Sequence, residues 1–325
     1  MNRLRFLALT TLVLAATALA APLRAQDYPT RPVTTVVPFA PGGAGDILSR
    51  MLSQRLEQRL GKPFLVENKP GGGGVVGVLT AAKSNPDGYT LLMSPSGPLA
   101  VNPTLMKDLP YNSINDFTPL ALVAGTPFML IVNPSLPVHT LDDLIKYQKQ
   151  KGGPLPFAMV GPGTPHHLFA EMLKGMTGIE ITYVPYKGSQ PAITDLVAGH
   201  VPVMFCDMGP AGPQIAAGKV RALGVSTAKR SGNMPDIPSV SEAGVPGYEA
   251  VQWYGFLAPA GTPGAILTRI HAEAVKALHS TEMKEKLAHD GAEPVGSSSE
   301  AFAAHIRNEL DKWRRVAKAA GIEPQ

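Results

Sequence analysis

Two glycine- and proline-rich turns carry the residues whose types and spacing best suit recognition of a ligand. The first is Val37-Pro38-Phe39-Ala40-Pro41-Gly42-Gly43-Ala44-Gly45-Asp46; the second is Tyr186-Lys187-Gly188-Ser189-Gln190-Pro191-Ala192. Each follows a short apolar or β-branched run, 33–37 and 181–184, and each leads into an amphipathic, helix-like segment. A chain that leaves a strand through a tight turn and starts a helix exposes backbone N–H groups that have no acceptor within the helix. Such a place suits an anion. Two of them, far apart in the chain, predict two lobes that each grip one side of a small carboxylate.

Other chemistry-bearing residues are weaker candidates. Gly72-Gly73-Gly74-Val75-Val76-Gly77 matches G-x-G-x-x-G in form. A dinucleotide site turns directly from strand to helix at the first crossing, whereas here Asn68-Lys69-Pro70 intervenes and the first crossing is already used by the 41–46 turn. No Walker-type lysine and hydroxyl complete a P-loop. His166 and His167 are adjacent, so on a helix they diverge by about 100° and do not converge on one ion; one of them facing a crevice as a hydrogen-bond donor is the functional alternative to packing. Nothing calls for a metal or a cofactor. Cys206 is the single cysteine, within Val203-Met204-Phe205-Cys206, and reads as buried filler. Ser94 ends a strand near 89–93 and, if the strands are parallel, stands at the same sheet edge as the first turn with a hydroxyl to donate.

The elements that must position these residues begin after a leader. Arg3 and Arg5 precede an apolar run over 4–21, and Ala20 and Ala25 both satisfy the small-residue rule for cleavage. The run is short for a membrane span and no second one occurs; no cysteine follows it to carry a lipid. The 325 residues hold 29 Lys+Arg against 25 Asp+Glu, and removing Arg3, Arg5 and Arg24 leaves 26 against 25, a net charge of +1. The basic balance therefore belongs to the leader, and no basic stripe for nucleic acid remains. With 44% hydrophobic residues, 33 Gly and 32 Pro, the remaining chain is long enough for two cores joined by many short turns.

Alternation of short apolar runs with helical patterns predicts a doubly wound α/β arrangement. Strands are expected near 33–39, 64–67 and 89–93, with helices over 46–60 and 76–84; Ile47, Leu48, Met51, Leu52, Leu56 and Leu60 share the apolar side of the first helix. Residues 100–120 show little regular pattern. A first passage between lobes falls at Gly125-Thr126-Pro127, and a return passage in the strand 253–258. In the second lobe Thr140 caps a helix over 141–150, and Thr164-Pro165 opens one that runs to about 176. Asp46 and Asp195 are placed in the first turns of their helices, holding the loops against the positive helix ends. The C-terminal part is helical, with Ser299 capping the last helix. The lobes are expected at 26–125 plus 254–325 and at 126–253.

These motifs resemble, in order and over essentially the whole mature chain, the periplasmic receptors of tripartite tricarboxylate transporters, the Bug or TctC-like family. The resemblance rests on Tyr28-Pro29-Thr30-Arg31-Pro32, the 37–46 turn, Glu67-Asn68-Lys69-Pro70-Gly71, Asp87-Gly88-Tyr89-Thr90 and the stretch from Tyr186 to Leu196. It implies a two-lobed Venus-flytrap fold of mainly parallel sheets flanked by helices, with two crossover connections. It implies no catalysis, but capture of a small organic carboxylate between the lobes and its delivery to a membrane permease. By that resemblance the ligand meets Phe39, Ala40, Pro41, Gly42, Gly43 and Asp46, with Tyr186, Gly188, Ser189 and Ala192 opposite. Gly163, Thr164 and His167, in the loop 161–167, and Asp207 match further crevice-lining positions. Gln190 departs from the glycine-rich form of the second loop, so the identity of the acid does not transfer. A sensory adaptor that closes on the same anion, and an exported hydrolase, are the alternatives; the hydrolase lacks a G-x-S-x-G elbow. A monomer is the simpler form for a closing receptor. N-terminal sequencing of the exported protein is expected to return Gln26, where the patterned chain begins, or Ala21; a mature protein that keeps Met1 overturns the leader assignment.

Overall fold

The computed structural model describes residues 28–324 apart from Pro162, Asn233, Asp290 and the side chain of His289; the leader lies outside the described residues. Strand β1 (Val33–Val37) is buried along nearly its whole length and ends at Pro38, slightly earlier than the sequence pattern indicates. Helix α1 (Ala44–Leu60) follows and stops at Gly61, in the left-handed conformation that glycine adopts without a Cβ penalty. Then come β2 (Phe64–Asn68), a single turn over Gly72–Gly74, α2 (Val75–Ala82) and β3 (Thr90–Pro95). The stretch that lacked a sequence pattern contains a wide helical turn, Gly97–Val101, and the short α3 (Asn102–Leu105). β4 (Phe117–Thr126) is nearly continuous with β5 (Phe128–Val132).

The second unit continues with α4 (Leu141–Lys151), β6 (Leu155–Met159), α5 (Pro165–Thr177), β7 (Ile181–Pro185), α6 (Ser189–Ala198), β8 (Val203–Asp207), α7 (Met208–Ala216) and β9 (Arg221–Val225). The chain returns through β10 (Gln252–Pro259) to α8 (Gly264–Leu278), α9 (Thr281–His289), the short β11 (Glu293–Pro294) and the long α10 (Ser299–Ala320). Thr140 caps α4 as expected, accepting from Asp143 N at 3.0 Å while Asp143 returns a bond to the Thr140 amide.

Among the described residues there are two sheets, ordered β11-β4-β10-β3-β1-β2 and β7-β6-β8-β5-β9. The architecture is the expected two-lobed α/β arrangement. Each sheet is mixed: β1 pairs parallel with β2 and β3, and β6 with β7 and β8, while β10 and β5 run antiparallel to their neighbours. The reversal comes from the crossings. β4 leaves the first sheet and β5 enters the second with only Pro127 between them, and β10 carries the chain back. Chain sense in these strands is set by the passage rather than by a βαβ unit.

Helix α10 joins the two units. Phe302 and Ile306 are buried, and Phe302 meets Trp253 of β10 edge-on at 5.7 Å. Farther along, Trp313 stacks on Phe169 of α5, centroids 5.9 Å apart. Glu309, 5% exposed, accepts from the indole N–H of both Trp253 and Trp313 at 3.0 Å each, and Lys312 pairs with its other oxygen. A buried carboxylate is tolerable only when satisfied in this way. The cap of α10 is Ser298 rather than Ser299: Ser298 is extended and accepts from Ala301 N at 3.1 Å, whereas Ser299 is already helical and donates to Pro119 O.

The glycine run that mimics a nucleotide motif serves packing. A Cβ on Gly77 would lie 2.5 Å from Pro38 Cα and 2.8 Å from Lys69 O, both backbone atoms, so only glycine lets α2 lie this close to the first turn. Gly77→Ala is therefore expected to destabilise the fold by about 1–3 kcal/mol, the usual cost of overpacking a tight contact, read as a lower urea midpoint at unchanged m-value; an unchanged midpoint contradicts the close approach.

Candidate ligand-binding cleft

The first turn is built from β1 to α1 and stitched from beneath. Gly42 takes φ +88°, where a β-carbon is strained, and this bends the chain so that Gly43, extended, opens the helix. Asp46 lies in the first turn of α1 and is 4% exposed. Its carboxylate accepts from Gly42 N at 2.9 Å, Asn68 Nδ2 at 3.1 Å, and Arg50 through Nε at 3.0 Å and Nη2 at 2.9 Å. Asn68 also donates to Phe39 O at 2.9 Å. The Arg50 guanidinium, ahead of the Gly42 and Asn68 donors, outweighs burial and holds the Asp46 carboxyl below its usual range. Asp46 thus acts on the loop from within, and its charge is matched by Arg50. The amides of Gly43, Ala44 and Gly45 stand at the helix start, where no acceptor exists within the helix. Residues 40–44 are exposed.

In the second unit, α5 begins at Thr164, but its hydroxyl does not cap the helix: it donates to Gly161 O at 2.7 Å. His167 takes the neighbouring amide instead, Gly163 N donating to its Nδ1 at 3.1 Å, and stands edge-on to Tyr183 at 4.8 Å. Burial lowers the His167 pKa, which favours the neutral ring this bond requires. His166 points elsewhere. It is 7% exposed, meets Phe128 edge-on at 5.1 Å, and brings Nε2 to 3.0 Å from Ser189 Oγ and 3.5 Å from Asp207 Oδ1. Ser189 Oγ donates to that same Asp207 oxygen at 2.7 Å. Burial raises the Asp207 pKa, but the bonds from His166 and Ser189 outweigh it and the net shift is downward.

Serine, histidine and aspartate are thus assembled, yet not as a hydrolytic triad. A triad sets the acid on one imidazole nitrogen and the nucleophile on the other. Here both partners meet Nε2, and the serine proton is directed to the carboxylate, which leaves the hydroxyl unactivated.

Tyr186 N donates to Met159 O at 2.8 Å, and its hydroxyl donates to Asp195 Oδ2 at 2.9 Å; burial, then this acceptor, push the phenol up to about 12. Asp195 is not in the first turn of α6 as expected. It lies near the C-terminal end, ahead of Gly199, so it braces Tyr186 across the helix rather than meeting free amides.

Two cavities flank the first turn. One, of about 290 Å³, is lined by Ala44 and Ile47 of α1, Gln252 and Tyr254 of β10, and His166, Asp207 and Gly209 of the second unit. The other, of about 480 Å³, lies between Phe39 and the Pro95–Pro98 turn on one side and Gly163, Thr164 and His167 on the other. Gln252 lines both. Ala40, Pro41, Gly42 and Gly43 line neither cavity; they form the exposed turn that links Phe39, in the lining of the larger, to Ala44, in the lining of the smaller. Among the lining residues described there is no lysine or arginine.

The remaining residues singled out from sequence lie apart from these cavities. Ser94 is buried, with its hydroxyl donating to Pro95 O at 3.1 Å. Ala192 is packed in the second unit's core. Tyr186, Gly188 and Ser189 line neither cavity; the second loop touches the smaller one only indirectly, through the Ser189 hydroxyl held against His166 and Asp207. Gln190 is exposed.

Ile47, Gln252 and Tyr254 are among the lining residues that the sequence reading did not single out, and His166 is one of the two histidines between which it did not choose. Ile47 was grouped with the core face of α1 and is 40% exposed. Gln252 and Tyr254 had a readable signal in the two-residue period of β10, which puts them on one face and Val251 and Trp253 on the other. Gln252 Nε2 donates to Tyr254 OH at 2.8 Å, which leaves the phenol proton free to donate into the cavity. Burial pushes the Tyr254 pKa up to about 12, so that proton is retained.

Comparison with known proteins gives a concordant result. Residues 48–322 match the family model described as tripartite tricarboxylate transporter family receptor, TctC. The chain is 38% identical over 324 residues to protein BugT of Bordetella pertussis, covering 99% of both chains. Among solved structures it resembles R. palustris Rpa4515 with adipate (40% identity, TM-score 0.78, 92% of this chain and 100% of that one). It also resembles MatC from Rhodopseudomonas palustris with bound malate (32% identity, TM-score 0.73, 89% and 99%).

The Asp46 clamp generates a pH test. A carboxyl whose folded pKa is depressed adds stability above its unfolded pKa of about 3.9 and loses it as pH falls through the folded value. Asp46→Asn is expected to cost about 1–2 kcal/mol at neutral pH, the lower part of the range for a charged hydrogen bond because Arg50 is half exposed. The gap between variant and wild type should close below about pH 4. Urea titrations at pH 7 and pH 3 check this, and a gap of equal size at both overturns it.

Proposed function

Because this chain belongs to the tripartite tricarboxylate transporter family of receptors, we propose that it captures a small organic mono- or dicarboxylate in the cleft between its two lobes and hands it to the cognate membrane permease. The family is one of solute-binding receptors, not enzymes. The observation that carries the reading is the exposed 40–44 turn at the start of α1, flanked by Phe39 in the lining of one cavity, ending at Ala44 in the lining of the other, and backed by a fully engaged Asp46. A carboxylate placed there meets main-chain donors and the positive end of a helix. With no cationic side chain in the lining, these dipoles supply the attraction.

The lobes are 26–125 with 254–325, and 126–253. Two crossings, at Pro127 and ahead of β10, let them close as a hinge. His166, Ser189 and Asp207 bring the second lobe's face to the ligand, and His167 holds the shape of the loop beside them. Residues 1–25 direct the chain to the periplasm. Among the described residues no helix is long and apolar enough to cross a membrane, and the permease supplies the passage. Adipate and malate, held by the two similar structures, are sensible first ligands for this chain.

A ligand that binds only the folded form stabilises it by about 2.7 kcal/mol at a hundred times its Kd. A thermal-shift screen of small carboxylates at millimolar concentration should therefore raise Tm for at least one acid, and calorimetry should confirm one-to-one binding. Gly42→Val and Gly43→Val should each weaken that acid about tenfold or more, ~1.4 kcal/mol, and Asp46→Asn by less, because asparagine keeps an acceptor for the Gly42 amide. No stabilisation by any acid overturns the reading.

A further inference from the structure

Asp207 is a carboxylate that the fold does not finish using. It occupies the cap position of α7, where an aspartate ordinarily accepts from the helix's own amides, yet its side chain makes no cap bond. Ser189 and His166 both meet Oδ1. Oδ2 accepts from no other residue among the described hydrogen bonds, its own backbone amide being the remaining donor to the carboxylate, and the side chain is 32% exposed where it lines the smaller cavity. Facing it from the other lobe is Tyr254, close enough that the Asp207 charge adds to burial in keeping the phenol protonated. The phenol oxygen already accepts from Gln252, so Tyr254 offers a proton. The cavity thus presents donors from the first lobe and an open anionic acceptor from the second.

An acceptor of this kind discriminates. A hydroxyl or an ammonium set against Oδ2 completes a charge-assisted hydrogen bond. A bare methylene leaves the carboxylate partly desolvated and unpaired when the lobes shut, and a second ligand carboxylate at this end meets a like charge without a lysine or arginine to offset it.

Building on the receptor reading, we propose that Asp207 is a specificity-determining residue, which selects acids that carry a hydroxyl or amino donor over unsubstituted diacids of the same length. The hydroxyl and the ammonium share the chemistry of an N–H or O–H donor aimed at Oδ2, and matched ligands separate the two.

The test uses two series in which a single substituent changes: succinate, malate and aspartate; glutarate, 2-hydroxyglutarate and glutamate. Calorimetry on the full mature protein should give the hydroxy or amino member at least about tenfold tighter binding than its unsubstituted parent in one series or both. Asp207→Asn should narrow that ratio to less than about threefold, chiefly by improving the parent diacid. Equal binding of all members of a series that does bind overturns the proposal and leaves the receptor reading intact; so does a ratio that Asp207→Asn leaves unchanged. If no member of either series binds but another carboxylate does, this proposal alone falls; if no carboxylate binds, both fall. Should the variant not fold, the wild-type ratios decide the matter.

Discussion

Everything at the cleft depends on a helix that starts in the open. The first amides of α1 have no acceptor within the helix, and the glycines around them carry no side chain to supply one. Left alone, such a turn has many conformations, and an amide that points in the wrong direction holds nothing. Asp46 removes that freedom. By accepting from Gly42, Asn68 and Arg50 together it fixes the bend, ties it to the end of β2, and consumes its own charge in doing so. A buried carboxylate beside these free amides is tolerable because a guanidinium already neutralises it.

The second unit solves the same problem with different side chains. At the start of α5 the expected threonine cap is absent as a bond, and the ring of His167 accepts from the loop in its place. At the start of α6 the serine is drawn to Asp207, with His166 against both. These contacts join three separate strand-to-helix junctions into one surface. Side chains do the positioning, and the first main-chain amides of α1 are left without an acceptor. That division of labour accounts for a cleft with no cationic lining.

The last helix places a condition on any motion between the lobes. α10 lies against the first sheet through Phe302, yet its Trp313 stacks on Phe169 at the other side, and Glu309 binds an indole from β10 and one of its own. A helix that the sequence reading assigned to the first lobe is a strut touching both sheets' helices and strands. Closure of the cleft must pivot on these aromatic contacts or slide along them. Breaking them would expose a buried carboxylate.

Much of the architecture could be read from the chain before any coordinate was known. The strands β1 to β3, helices α1 and α2 and the glycine stops at Gly61 and Gly199 follow from local periodicity and backbone freedom, which neighbouring residues determine. The first turn was legible for the same reason, since its glycines and its capping acid lie within a few residues of one another. Legibility ended where partners are distant in the chain. Which cavity each of the two adjacent histidines faces depends on the rotation of α5 against β8: His167 lines the larger cavity and His166 the smaller, a division that the sequence alone does not give. Ile47 has the spacing of a core residue and is left facing a cavity because nothing from the second lobe covers it. Gln252 and Tyr254 gain their meaning only when β10 is laid between β3 and β4. The local code determined that helices begin at these turns with their amides exposed; the meeting of Ser189, His166 and Asp207 was decided by tertiary packing, because a contact between three loops is a property of how sheets and helices are stacked and no single stretch of chain encodes it.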